Sequence, residues 1–200
     1  MIYFNSITIE KTSRFKNLPW VIDDLKDLNV LIGPNGSGKT TIMGALTEYS
    51  KDNFEKRYHT TVSYTRDPEH NSPVEFYVLF YKDLVKPKED FGLYATSEFG
   101  IYDVLNSHKS AGERSFVQIS DIKNIKDSII FIDEMDASLD WGHQIKFFKQ
   151  IKRLSKSNQI FIATHSMIFC SLAKTLYDVQ NRKWTTYEEV KNTYLKDITL

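Results

Sequence analysis

The chain has 200 residues, 41% of them hydrophobic, enough for one sizeable core and short for two. Its 26 basic and 26 acidic residues cancel, so the overall charge advertises neither a nucleic-acid partner nor a membrane surface. A single cysteine, Cys170, excludes an internal disulfide and suits a reducing cytoplasm, while no run reaches the roughly 18 apolar residues of a membrane span.

Read in order, Ile2 to Ile9 is β-branched and aromatic and predicts a strand, followed by a polar connection from Ser13 to Pro19. The start, MIYFNSITIEK, lacks the plan of a secretion signal, so the chain is expected to be a soluble, cytoplasmic protein without membrane insertion. Leu28 to Ile32 is almost continuously apolar and predicts a central strand buried on both faces, as in a parallel sheet. It runs into GPNGSGKTT and then a helix, Lys39 to Tyr49. This is the pattern of a phosphate-binding loop: Gly33, Gly36 and Gly38 let successive amides turn inward, and the helix aims its positive end at the same place. Gly33, Asn35, Gly36, Ser37, Gly38, Lys39, Thr40 and Thr41 form the expected cradle, with Lys39 a point charge for the outer phosphates and Thr40 a hydroxyl for magnesium.

From Asn53 to Tyr102 aromatic residues are dense, and Val74, Phe76, Val78 and Phe80 alternate with their neighbours, predicting strands or hairpins. The next strong stretch is SIIFIDEMDASLD, Ser128 to Asp140. Ile129 to Ile132 predict a short buried strand with Asp133 and Glu134 at its carboxyl end, where ligands of open parallel sheets sit. Asp133 is then placed to hold magnesium through water beside Thr40, and Glu134 to orient an attacking water. A third strand, Gln159 to Thr164, leads to His165, within reach of the same phosphate.

Between them, Trp141 to Lys156 predicts an amphipathic helix, apolar at Phe147, Phe148, Ile151 and Leu154, with Lys146, Lys149, Lys152, Arg153 and Lys156 on the other face. Residues 141–200 carry ten Lys/Arg against four Asp/Glu, yet a solvated face explains the stripe, and nucleic acid stays open as a partner rather than expected. The tail predicts a helix at Met167 to Ala173, an edge strand at Thr175 to Val179 and a helix at Tyr187 to Leu195, with Trp184 and Tyr187 tying it to the core.

In order and approximate spacing, GPNGSGKTT, IIFIDEMDASLD and FIATHS resemble the Walker A, Walker B with D-loop, and H-loop of ATP-binding-cassette ATPases. The text is most similar to the soluble group related to RecF and SMC heads and to small stand-alone ATPases. The resemblance implies an α/β P-loop NTPase fold: an ABC-type head with a mostly parallel central sheet, N-terminal antiparallel strands and a short insertion lobe carrying the signature motif. It divides a single domain, 1–200, into a core lobe, about 1–50 and 120–200, and an insertion lobe, about 51–119. It implies ATP and Mg²⁺ as cofactors, Glu134 and His165 as catalytic groups, and Thr40 and Asp133 as the magnesium ligands. Ser110, Ala111, Gly112 and Glu113 would be the signature acting on a second copy's nucleotide, and Ser138 and Asp140 the D-loop facing that copy. Arg14 and Phe15 match the basic-aromatic step that edges the adenine in similar heads.

Two features depart from the pattern. No glutamine lies between Thr41 and Val117, where the family places one, leaving Glu98 or Asp83 as substitutes. No sustained heptads occupy the interval between Thr40 and Ser110, so this is a head without a coiled-coil arm. The expected function is ATP hydrolysis coupled to head-to-head homodimerisation, a switch for a separate effector or a DNA-related process in repair, phage biology or defence. The alternatives are the nucleotide-binding subunit of a membrane transporter and a non-hydrolysing binding module.

Overall fold

The computed structural model describes residues 4–11, 18–49, 61–66, 75–80 and 122–194. Six strands form the main sheet in the order β5 (Glu75–Phe80), β6 (Ser128–Asp133), β7 (Gln159–Ala163), β3 (Leu28–Ile32), β8 (Leu176–Asp178) and β9 (Lys183–Thr185). All neighbours are parallel except β8 and β9. A second, antiparallel sheet has the order β2 (Trp20–Ile22), β1 (Phe4–Lys11) and β4 (Thr61–Arg66). Four α-helices, α1 (Lys39–Tyr49), α2 (Trp141–Leu154), α3 (Met167–Leu172) and α4 (Tyr187–Tyr194), and two short 3-10 turns, Ile122–Asn124 and Met135–Ser138, complete the described elements.

β6 and β7 are buried along their whole length, and β3 from Asn29 onward, because both faces are covered, and the period of two along each strand sorts its side chains between two cores. Val30, Ile32, Ile130, Ile132, Ile160 and Ile162 point to one face, where α2 delivers Phe147, Phe148, Ile151 and Leu154 and α3 delivers Phe169 and Cys170. Phe169 meets Phe147 and Phe148 edge to face, with centroids 5.6 and 5.2 Å away. Leu31, Ile129, Phe131, Phe161 and Ala163 point the other way, against Ile7 and Ile9 of β1, Trp20 and Ile22 of β2, and Ile42, Met43 and Leu46 of α1.

The amino ends of β6 and β7 are tied by two buried amides. Asn158 accepts the Ser128 N–H at 3.1 Å and donates to the carbonyls of Ile125 and Leu154. Gln159 accepts the Phe4 N–H and donates to the Phe4 carbonyl, both at 2.9 Å, and reaches Lys26 O at 3.2 Å. These bonds answer groups that would otherwise be buried unsatisfied, and they fasten β1 to the main sheet.

The mostly parallel sheet, the antiparallel N-terminal strands and the helix after the glycine loop agree with the sequence. Of the strands or hairpins expected over residues 53–102, the described segments are two strands that do not pair with each other: β4 pairs with β1, whereas β5 lies parallel beside β6. Both strands fall in the interval 51–119 and join the two sheets because β1 and β6 each offer them an edge. The strand at Leu176–Asp178 is not at the edge either. A turn after Asp178 brings β9 back along it, where Trp184 packs edge to face on Tyr177 with centroids 5.3 Å apart and donates to Asp23 O at 2.7 Å. Trp184 and Tyr187 do tie the tail to the two cores.

Candidate functional site

β3, β7 and β6 are adjacent and parallel, so their carboxyl ends open onto one place. At the end of β3 the loop turns through Gly33, Gly36 and Gly38 with φ of 146°, 80° and 106°, a region that side chains rarely enter. A Cβ on Gly33 would also lie 2.7 Å from Ser37 Oγ. The loop closes through Ser37 N–H to Pro34 O at 3.2 Å and passes directly into α1. Ser37 Oγ is buried and unpartnered, a polar group suited to a ligand oxygen.

Lys39 is buried, and its ammonium lies across the loop, 3.0 Å from Gly33 O and 3.3 Å from Pro34 O. Desolvation pulls its pKa below the ordinary lysine range, while the charges of Glu134 and Asp133 pull it back up. Phosphate oxygens would act in the same direction as those carboxylates. Thr40 Oγ1 stands 3.5 Å from Asp133 Oδ1. This pair of hard oxygen donors suits Mg²⁺, which keeps several waters and shares itself with substrate phosphates. Among the described residues no cluster of three or more His, Cys, Asp or Glu able to hold a metal occurs.

At the end of β6, Glu134 takes a left-handed backbone conformation, φ 56°, which turns the chain out of the sheet and into a short 3-10 turn, Met135–Ser138. Such backbone is strained for a non-glycine residue and is held here by the Glu134 N–H bonding Ala163 O at 2.9 Å. Glu134 Oε1 then lies 3.4 Å from His165 Nε2, with both side chains half-exposed. Asp133, by contrast, is buried.

Asp140 caps α2 by accepting the His143 N–H at 2.9 Å and also pairs with the His143 ring. These hydrogen bonds hold its carboxyl below the usual range. Ser138 closes the 3-10 turn. Arg14, Phe15 and the signature candidates Ser110, Ala111, Gly112 and Glu113 lie outside the described residues, as do Asp83 and Glu98.

Sequence reasoning assigned no role to Asp136, Thr164, Gln144 or Ser166, which bracket the histidine. Asp136 is buried, accepts the Thr164 hydroxyl at 2.8 Å through Oδ2 and leaves Oδ1 unpartnered. Burial raises its pKa, opposed by the Thr164 hydrogen bond. Asp136 stood inside the motif as read, but only the fold reveals that its carboxyl turns inward. Cys170 is a core atom: burial pushes its thiol up to about 11, far from reactive.

A glycine-rich loop between a parallel strand and a helix, with two carboxylates at a nearby strand end, defines a P-loop nucleotide-binding chain. Residues 23–169 match the family model described as an AAA domain, and the chain belongs to that family. Among curated proteins it is 24% identical over 194 residues to a putative ABC transporter ATP-binding protein of Caldanaerobacter subterraneus subsp. tengcongensis. That match covers 84% of this chain but only 34% of the relative, so the chain spans about a third of its length. Among solved structures it resembles the ATP-binding subunit of an ABC transporter, with a TM-score of 0.53, 15% identity and coverage of 94% of this chain and 92% of the other. It also resembles the SMC head domain from Thermotoga maritima, with a TM-score of 0.55, 19% identity and coverage of 88% and 94%. The fold is thus that of ABC and SMC-head P-loop proteins, as the sequence motifs implied.

Proposed function

We propose that this chain binds ATP with Mg²⁺ and hydrolyses it, two copies closing head to head over the nucleotide as a switch for a separate effector. The observation that carries the reading is the convergence of Lys39, Thr40, Asp133, Glu134 and His165 at the carboxyl ends of three neighbouring strands. The AAA family, which fits nucleotide hydrolysis, supports it.

Bound ATP and Mg²⁺ supply the phosphoryl group and the neutralising charge. The loop amides and Lys39 hold the β and γ phosphates, and Thr40 and Asp133 hold the metal. Glu134 orients the attacking water and takes its proton, and His165 donates to a γ-phosphate oxygen. Ser110 and Gly112 of the second copy complete the site, with Ser138 and Asp140 at the junction. Trp141, 80% exposed beside Asp140, is the kind of aromatic side chain that interface centres use. The structure contains no helix, among the described residues, long and apolar enough to cross a membrane.

Phosphate release with Mg²⁺, and its loss on chelation, tests the reaction; a doubling of mass with ATP tests the switch. Nucleotide binding without phosphate release would make the chain a binding module instead. Absence of binding would overturn the reading entirely.

A further inference from the structure

His165 makes a long contact with Glu134, yet the backbone on both sides of it is firmly held. Thr164 is fully buried; its N–H bonds Leu31 O at 3.2 Å, its hydroxyl donates to Asp136 and accepts the Ser166 N–H at 2.8 Å. The Ser166 hydroxyl accepts the Phe169 N–H at 3.2 Å, capping α3, and donates to Gln144 Oε1 at 2.5 Å. The Gln144 amide nitrogen donates to Leu139 O at 2.9 Å and Asp136 O at 3.3 Å. Its orientation is fixed at both ends, since two carbonyls demand the NH₂ and a committed hydroxyl donor demands the oxygen.

One amide therefore bridges two segments: the turn and loop from Asp136 to Leu139, which lead to the exposed Asp140, and the loop carrying His165. On the far side lies an open cleft of about 240 Å³ shared by Glu134, Asp136, Ala137, Gln144, His165 and Ser166, so dense packing does not substitute for the amide there. We propose that Gln144 is a positioning residue for His165, fixing where the imidazole stands by tying its loop to the segment that ends at Asp140. The assignment rests on reading His165 as a γ-phosphate contact. Its consequence is that a displacement of Asp140, as on docking of a second copy, moves His165.

Gln144→Glu keeps the shape but sets an oxygen against two carbonyls; Gln144→Met keeps the length and removes all three side-chain bonds. In each, kcat is expected to fall about 10–100-fold while KM for ATP stays within about twofold, since misplacement of a group acting in the transition state spares binding. The ring signals of labelled His165, recorded by NMR without nucleotide, are expected to shift in both variants. Gln144→Met alone decides if circular dichroism shows Gln144→Glu unfolded. A kcat within twofold of wild type, or unmoved His165 signals, overturns the proposal. If the wild-type chain turns nothing over, the ATPase reading falls, and the His165 signals still decide whether Gln144 holds that loop.

Discussion

The phosphate loop holds its lysine locally: Lys39 reaches carbonyls only six and five residues back, at Gly33 and Pro34. The loop that carries His165 leans on distant chain, with Thr164 held by Asp136, 28 residues before it, and Ser166 by Gln144, 22 residues before it. One half of the site is written by backbone angles at three closely spaced glycines, the other by packing α2 against β7. A change in the first should act on nucleotide affinity. On the proposed reading, a change in the second should act on turnover, because Glu134 and His165 would serve the transition state more than nucleotide affinity.

The sharpest test of that division is Glu134→Gln, expected to lower kcat by about 10²–10⁴ with ATP affinity preserved, as for a lost positioned base. It should also accumulate an ATP-bound dimer in size measurements, and full hydrolysis by this variant would remove Glu134 from its role. Lys39→Ala should do the reverse, weakening ATP binding by about 100-fold, the scale of losing charge-assisted hydrogen bonds to phosphate. Unchanged affinity in a titration would break the comparison on the loop side.

The smallest effect concerns Asp136 and acts on stability. Its folded-state pKa lies above the unfolded value, so the folded chain holds the proton more tightly. Its contribution is complete below the unfolded pKa and is lost as pH rises through the raised one. Asp136→Asn keeps an acceptor for Thr164 without the buried charge, and should raise the Tm at pH 7 by about 2–4 °C while flattening its fall from acid to neutral pH. A Tm profile parallel to wild type at every pH would count against a raised Asp136.

The same contrast explains what could be read before the fold was known. GPNGSGKTT was legible because its spacing alone dictates the turn, and IIFID because four apolar residues followed by acids mark a buried strand end. The position of His165 followed from its strand. Gln144 was illegible: on a helix with an exposed basic face, a glutamine looks like solvent-facing polarity, and only the approach of the Thr164–Ser166 loop gives its amide a task. The tail was misread for a related reason. Leu176–Asp178 has the short, mixed text of an edge strand, yet Trp184 finds Tyr177 and folds β9 outside it. The pairings of β4 and β5 likewise depend on which strand edges are open, a property of the assembled sheets.

The grip of Gln159 on Phe4 has a mechanical meaning. Gln159 begins β7, whose other end delivers His165, so a rod of five residues, about 17 Å at the usual rise per residue, links the N-terminal sheet to the histidine proposed to contact the γ-phosphate. The register of β1 on the main sheet and the placement of the His165 loop are therefore set by the two ends of one short strand.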